Sequence, residues 1–251
     1  MKMTEPSREI EVLAAVVTLV DSLLDDFDVV DLLTGLTERC SELLDVTAAG
    51  VLLADPRGRL RLVAATSEAA RELELFQLQA EQGPCVDCYR SGQPVSVEDL
   101  ASTGDRWPRF TAVALEAGFA SGRAIPMRAA GMVLGALGLF GDRSGRLNNA
   151  DLLVARTLAH VACVAVLQER APTPATVGPP LQAALNRRIV VEQAKGFLRE
   201  TLNVSVEEAF TLLRSYAREH GQHLSDVAET LMRDRDGRPA LLSELTAMTA
   251  R

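Results

Sequence analysis

The amino-acid sequence predicts an α+β domain, an antiparallel sheet with helices, followed by a small all-α domain of three helices. Three observations predict it. Hydrophobic periodicity changes from helical to short β-capable runs and back within the first two thirds of the chain. Four prolines then crowd into Ala171–Pro180, and beyond them only the helical period recurs. The boundaries that follow are 1–170 for the first domain with its N-terminal helices, 171–180 for a linker, 181–236 for the three helices and 237–251 for a C-terminal extension. With 251 residues, 47% of them hydrophobic and 24% charged, the chain has the apolar material for two modest cores.

From the N-terminus, Glu9 to Leu24 carries Val12, Ala15, Val16 and Leu19 on one arc, the i, i+3, i+4, i+7 stripe of an amphipathic helix. A second helix is expected over Val29 to Leu44. Ala48 to Ala54 and Leu60 to Ala65 flank Asp55-Pro-Arg-Gly58, whose residues favour a turn, and form a hairpin. Three shorter helices follow at Glu68 to Leu78, Pro84 to Ser91 and Pro108 to Ala117, the last stopped by Gly118. Ala120 to Met127 and Met132 to Phe140 make a second hairpin around Arg128 to Gly131. Leu147 to Gln168 is a long helix whose Ala155, Ala159, Ala162 and Ala165 permit close packing on more than one side, against the sheet and against a partner subunit. This order of elements predicts helices segregated to one face of the sheet.

The prolines of Ala171–Pro180 remove amide donors, which makes this segment a semi-stiff extended spacer. Beyond it, Leu181 to Leu202 sets Val190, Ala194, Phe197, Leu198 and Leu202 on one arc, and Arg188, Glu192, Lys195 and Arg199 on another that presents cations. Ser205-Val-Glu-Glu208 is a capping box that opens a helix with Val206, Ala209, Phe210, Leu213 and Ala217 inward and Tyr216 at the core edge. Gly221 ends that helix. A third, from Leu224 to Arg233, turns Leu224, Val227, Ala228 and Leu231 inward, and three single-stripe helices must pack on one another. Residues 237–251 are compatible with an ordered extension or a frayed tail.

Charge is unevenly shared. The net −8 arises in residues 1–180, with 16 basic and 24 acidic side chains, whereas 181–251 carry 10 of each. An acidic first domain disfavours nucleic acid or an anionic membrane as its partner, and a neutral second domain leaves nucleic-acid contact to a local stripe. The N-terminus has no apolar segment after its lysine. The longest apolar run, Met132 to Phe140, is far short of the ~18 residues a membrane span requires. A cytoplasmic protein that meets no membrane is expected. Cys40, Cys85, Cys88 and Cys163 do not form a disulfide framework. Cys85 and Cys88 alone are close, spaced to chelate a metal or cycle as a disulfide. No second Cys/His pair completes a zinc site, and His160, His220 and His223 are scattered, so no metal is expected. Neither a nucleophile elbow nor a phosphate loop nor a zincin helix is present, and an enzyme is not expected.

Element order, Glu81-Gln-Gly-Pro-Cys-Val-Asp-Cys88, Ile125-Pro-Met127 and Val133-Leu-Gly-Ala-Leu-Gly-Leu139 together resemble a GAF domain over Glu9 to Arg170. Arg188-Ile-Val-Val-Glu-Gln-Ala-Lys-Gly196, Ser205-Val-Glu-Glu-Ala-Phe210, Leu213-Arg214, Ala217 and Asp226-Val-Ala228 closely resemble the ANTAR family over Leu181 to Asp234. The combination is similar to bacterial, actinobacterial-type regulators of transcription antitermination. What the resemblance implies is binding of RNA hairpins in leader transcripts, which prevents termination. It also implies a sensory domain that leaves a small-molecule ligand open and names no cofactor. A homodimer would present two stripes to two hairpins.

Carried over by position, Lys195 contacts the RNA backbone and Gly196 lets RNA or a neighbouring helix approach. A mid-helix glycine costs ~1 kcal/mol against alanine and needs such a reason. Arg188, Gln193, Arg214 and Arg218 join the nucleic-acid site by surface placement. Arg199 departs from the family, where an apolar residue is expected. Cys85 and Cys88 belong to local packing of the insertion or to a redox sensor. Two other functions remain open: a DNA-binding helix-turn-helix regulator, since such a unit also enters a major groove, and a GAF-type thiol reductase resembling the free methionine sulfoxide reductases, with Cys85 or Cys88 as nucleophile. A sensory domain serving only for dimerisation is a further alternative.

Overall fold

The structure, a computed structural model, describes residues 8–24, 27–103, 106–167, 178–234 and 236–249. Two compact units emerge: one comprises the chain up to residue 182 apart from 27–31, and the other comprises 27–31 and 183–251.

In the first unit, helices α1 (Arg8–Leu24) and α2 (Val29–Leu43) precede strands β1 (Ala48–Ala54) and β2 (Leu60–Ala65). Helices α3 (Glu68–Ala80) and α4 (Pro84–Ser91), strand β3 (Val95–Val97) and helix α5 (Pro108–Glu116) follow, then β4 (Ser121–Ala129), β5 (Met132–Gly141) and α6 (Asn149–Leu167). The sheet is antiparallel in the order β2-β1-β5-β4-β3. Its hairpins close as their turn residues dictate. Asp55 Oδ1 accepts the amides of Arg57 and Arg59, and Ala130 and Gly131 both take positive φ between the paired Ala129 and Met132.

Contrary to the expectation of helices on one face, both faces of the sheet are covered. On one, Ala48, Leu52, Ala136 and Phe140 pack with Leu73 of α3, Cys85 of α4 and Phe110 of α5. On the other, Val51, Leu53, Leu137 and Leu139 are fully buried, and α6 lies against β4 and β5. The cause is in the strands themselves. β1 and β5 are apolar at successive rather than alternate positions, so each must be buried twice. The alanines of α6 (Ala155, Ala159, Ala162, Ala165) are buried as expected. This helix is long and apolar enough to cross a membrane, yet 56% of it is buried inside the fold, as a core helix requires. The edge strand β3 was not foreseen, because three residues carry no readable period.

The second unit contains α7 (Gly178–Leu202), α8 (Val206–Glu219), α9 (Leu224–Arg233) and α10 (Arg238–Thr249). The expected spacer lies, over residues 171–177, outside the described residues. Its last three residues are instead the start of α7, where a proline's missing amide costs nothing. The capping box at Ser205 forms in both directions, Glu208 N–H to Ser205 Oγ at 3.1 Å and Ser205 N–H to Glu208 Oε2 at 2.8 Å. Leu224, Val227, Ala228 and Leu231 are buried as their spacing predicts, and Tyr216 sits at the core edge, stacked on His220. In the C-terminal extension, residues 238–249 form a helix. Through Leu241 and Leu245, α10 packs on α8 and α9 as a fourth helix. Arg238 fastens it, donating to the terminal carbonyls of Leu231 and Met232 at 2.6 Å each and lying over the Phe197 ring of α7.

Candidate functional site

The six residues expected at the nucleic-acid site separate into four settings along α7 and α8. Arg188 and Lys195 are only 8% and 7% exposed. Both turn to Glu192, Lys195 Nζ at 3.0 Å and Arg188 one turn earlier, and the Lys195 ammonium also lies 5.4 Å from the Phe210 ring centre. Two of the stripe's three cations are therefore folded inward, because Glu192 falls at i+4 from Arg188 and i−3 from Lys195 and an aromatic face lies opposite, whereas Arg199 at its end is exposed. Arg214 and Arg218 pair with Asp31, at 2.5 and 3.5 Å, in the short segment that belongs to this unit. Gly196 is exposed, and among the described residues a Cβ placed there would meet nothing within 4 Å. Packing among the described residues does not explain this glycine.

Gln193 is also exposed and lines a cleft of about 580 Å³ between α7 and α9. Asn186, Ile189 and Val190 share its α7 wall, since residues at i, i+3, i+4 and i+7 lie on one side of a helix, and Arg187 lines it beside them. Ser225, Asp226, Glu229 and Arg233 supply the α9 wall.

In the sheet domain, Cys85 and Cys88 are fully buried on α4 beside a polar group that the sequence reading did not single out. Gln77 Nε2 donates to Glu74 Oε2 at 2.8 Å, the Cys85 amide donates to Gln77 Oε1 at 3.0 Å, and the Cys85 thiol donates to Glu74 Oε1 at 3.4 Å. The floor beneath is Gly50 of β1 paired with Gly138 of β5. A Cβ on Gly138 would stand 2.2 Å from Glu74 Oε1 and 2.8 Å from Cys85 Sγ, so the carboxyl and thiol occupy the space of absent side chains. Burial raises the Glu74 carboxyl to about 8. Burial, then the Glu74 charge and Cys88, push Cys85 well above the usual thiol range, and burial pushes Cys88 to about 12. A thiolate nucleophile needs the opposite shift. Among the described residues no three His, Cys, Asp or Glu side chains gather as a metal site requires.

The GAF domain model matches residues 28–167, more than half of the chain. The chain belongs to the GAF domain family. An ANTAR domain model matches residues 180–232, over α7 to α9, so the protein couples a GAF sensory domain to an ANTAR domain of the RNA-binding, antitermination type. A comparison with curated proteins gives no match.

Among solved structures the chain is similar to the GAF domain of the Acinetobacter phosphoenolpyruvate-protein phosphotransferase, at 14% identity over 73% of this chain and 97% of that one, TM-score 0.49. It is also similar to the corresponding Coxiella burnetii domain, at 17% identity over 64% and 95%, TM-score 0.49. A third is the free methionine-R-sulfoxide reductase of Neisseria meningitidis, at 15% identity over 74% and 97%, TM-score 0.48.

Of the residues missed in the sequence, Glu74 and Gln77 of the GAF domain left a signal: with Ala70 and Leu73 they occupy i, i+3, i+4 and i+7, the buried arc of α3. Asn186 of the ANTAR domain left none, and Asp226 stands in the motif Asp226-Val-Ala228 but carries no local sign of the cleft, which forms only where α7 and α9 meet.

Proposed function

We propose that this chain is a cytoplasmic, signal-responsive regulator that binds leader-RNA hairpins as a homodimer and prevents transcription termination under control of its GAF domain. The observation that carries this reading is the ANTAR match over the helices that display Gln193 and Gly196 outward. The four cysteines, all free, suit a reducing compartment. The homodimer is supported by α1, where Ile10, Leu13, Val17 and Val20 are exposed at the three- and four-residue spacing of a coiled-coil seam, with Leu153 and Val164 exposed on α6. On this reading a GAF-domain ligand or redox cue changes how the ANTAR domains pair, and the chain is not an enzyme. The raised Cys85 and Cys88 thiols weigh against the reductase alternative.

A gel shift with paired-hairpin RNA tests the reading, comparing wild type with Gln193→Ala, Lys195→Ala and Arg214→Ala, each shown folded by its thermal transition. Binding by wild type and weakening in the variants is expected. Equal affinity in all four rejects the site assignment. Duplex DNA that outcompetes the hairpin favours the helix-turn-helix alternative, and thiol oxidation dependent on a methionine sulfoxide substrate favours the reductase.

A further inference from the structure

Contact with phosphate supplies most of the sequence-independent affinity for nucleic acid, and it needs cations that are not already neutralised. In the ANTAR domain most of them are. Arg188 and Lys195 are held by Glu192, Arg214 and Arg218 by Asp31, and Arg233 by Glu229 at 2.8 Å. Arg187 also has a partner. Among the described residues of this domain, the arginines that no carboxylate pairs are Arg199 and Arg238.

Both flank Gly196. Gly196 and Arg199, at i and i+3 on α7, are exposed neighbours on one side of the helix. At about 100° per residue, Phe197 stands on the other flank of the glycine, and the guanidinium of Arg238, at the start of α10, lies 5.6 Å from the centre of that ring. No described atom comes within 4 Å of the place a Cβ would take on Gly196, so a polymer backbone can approach the helix closely there. Arg238 is already oriented. Its Nε and Nη2 donate to the C-terminal carbonyls of α9, which fixes the guanidinium plane without cancelling its charge, and Nη1 makes no hydrogen bond among the described residues. Two carboxylates lie nearby: Glu200, exposed at i+4 from Gly196, and Asp234, held below the usual carboxylate range by the amides of Gly237 and Asp236 and by the Arg238 charge. They limit the pull of the patch at a distance, so its strength depends on close contact.

We propose that Arg199 and Arg238 contact the phosphate backbone of bound RNA where it crosses Gly196. The proposal rests on the RNA-binding reading above and moves its phosphate contacts away from the ion-paired arginines. It also makes them particular to this chain, since Arg199 departs from the family pattern and Arg238 lies beyond the ANTAR match over residues 180–232.

The test is fluorescence anisotropy of the full chain with a labelled paired-hairpin RNA, repeated over a range of salt concentrations. Arg199→Gln and Arg238→Gln, each shown folded by its thermal transition, should each lower affinity roughly three- to ten-fold near ~0.1 M salt. Each should also flatten the slope of log affinity against log salt by ~0.7–0.9. Arg238→Lys keeps the charge but not the fork that fastens α10, and should recover the slope. Glu200→Gln should tighten binding by about two-fold. Arg39→Gln removes an exposed arginine of the GAF domain, paired with Glu42, and should leave the slope as in wild type although net charge changes equally. An unchanged slope in either Arg199→Gln or Arg238→Gln overturns the assignment while leaving RNA binding intact. Arg238→Lys binding as weakly as Arg238→Gln reduces Arg238 to a fastener of α10 and overturns it too, as does an equal loss in Arg39→Gln. Failure of wild type to bind any hairpin overturns the RNA reading and the assignment with it.

Discussion

The Glu74–Gln77–Cys85 group of the GAF domain and the Asn186–Gln193–Asp226 cleft of the ANTAR domain use similar side chains in opposite circumstances. In the first, the carboxyl, the amide and the thiol are fully buried and satisfied by one another over a floor of two glycines. In the second, an aliphatic platform and polar groups face outward from two helices. A buried polar group is costly unless every member is bonded, so the first arrangement specifies one packing of α3 and α4 on the sheet. The second leaves Gln193 and Asp226 exposed at the surface of two helices. Lys195 illustrates the same division within one helix: it belongs to a family motif, yet is folded onto Glu192 and Phe210, while Gln193 two residues earlier stays in the open.

The largest expected effect breaks the buried group by pH. With its carboxyl near 8 in the folded protein against 4.5 in the unfolded chain, Glu74 takes up a proton on folding at any pH between those values. Its contribution to stability is fully present below 4.5, declines as pH rises and is exhausted above about 8. The slope should be roughly 1 kcal/mol per pH unit. Denaturant melts of wild type and Glu74→Gln from pH 5 to 8 check it, and parallel pH profiles for the two proteins would remove Glu74 as the cause.

Next in size is Gly138→Ala. The new methyl meets a carboxyl that Gln77 and Cys85 hold in place, and a loss of roughly 2–4 kcal/mol is expected by urea denaturation. In the ANTAR domain, Glu192→Ala removes the carboxylate that pairs with the buried Arg188 and Lys195 and should cost about 1–3 kcal/mol, seen as a lower thermal midpoint of that domain. Smallest, and of opposite sign, is Gly196→Ala. Nothing among the described residues crowds it, and the change should stabilise by up to ~1 kcal/mol while weakening hairpin binding in a gel shift. Stabilisation with unchanged RNA affinity would show that no partner approaches this glycine.

The sites were less legible than the elements, for physical reasons that particular residues show. Glu74 could have been placed inward from its position on the arc of Ala70, Leu73 and Gln77. That it rests on Gly50 and Gly138 could not, since those glycines are far apart in sequence and meet only through the register of β1 with β5. Arg188, Glu192 and Lys195 were visible as one stripe, but a stripe of mixed charge is equally consistent with solvent or with Phe210 above it.

By itself the sequence determined the two domains, the helices and hairpins with their capping and turn residues, and the family motifs. Each depends on residues a few positions apart, whose periodicity and backbone preferences act locally. Only the tertiary structure decided that both sheet faces are covered, that the final segment adds a fourth helix to the ANTAR domain, that Lys195 turns inward and that α7 and α9 enclose a cleft. Those outcomes depend on which distant surface meets each face, and no local period encodes the identity of that surface.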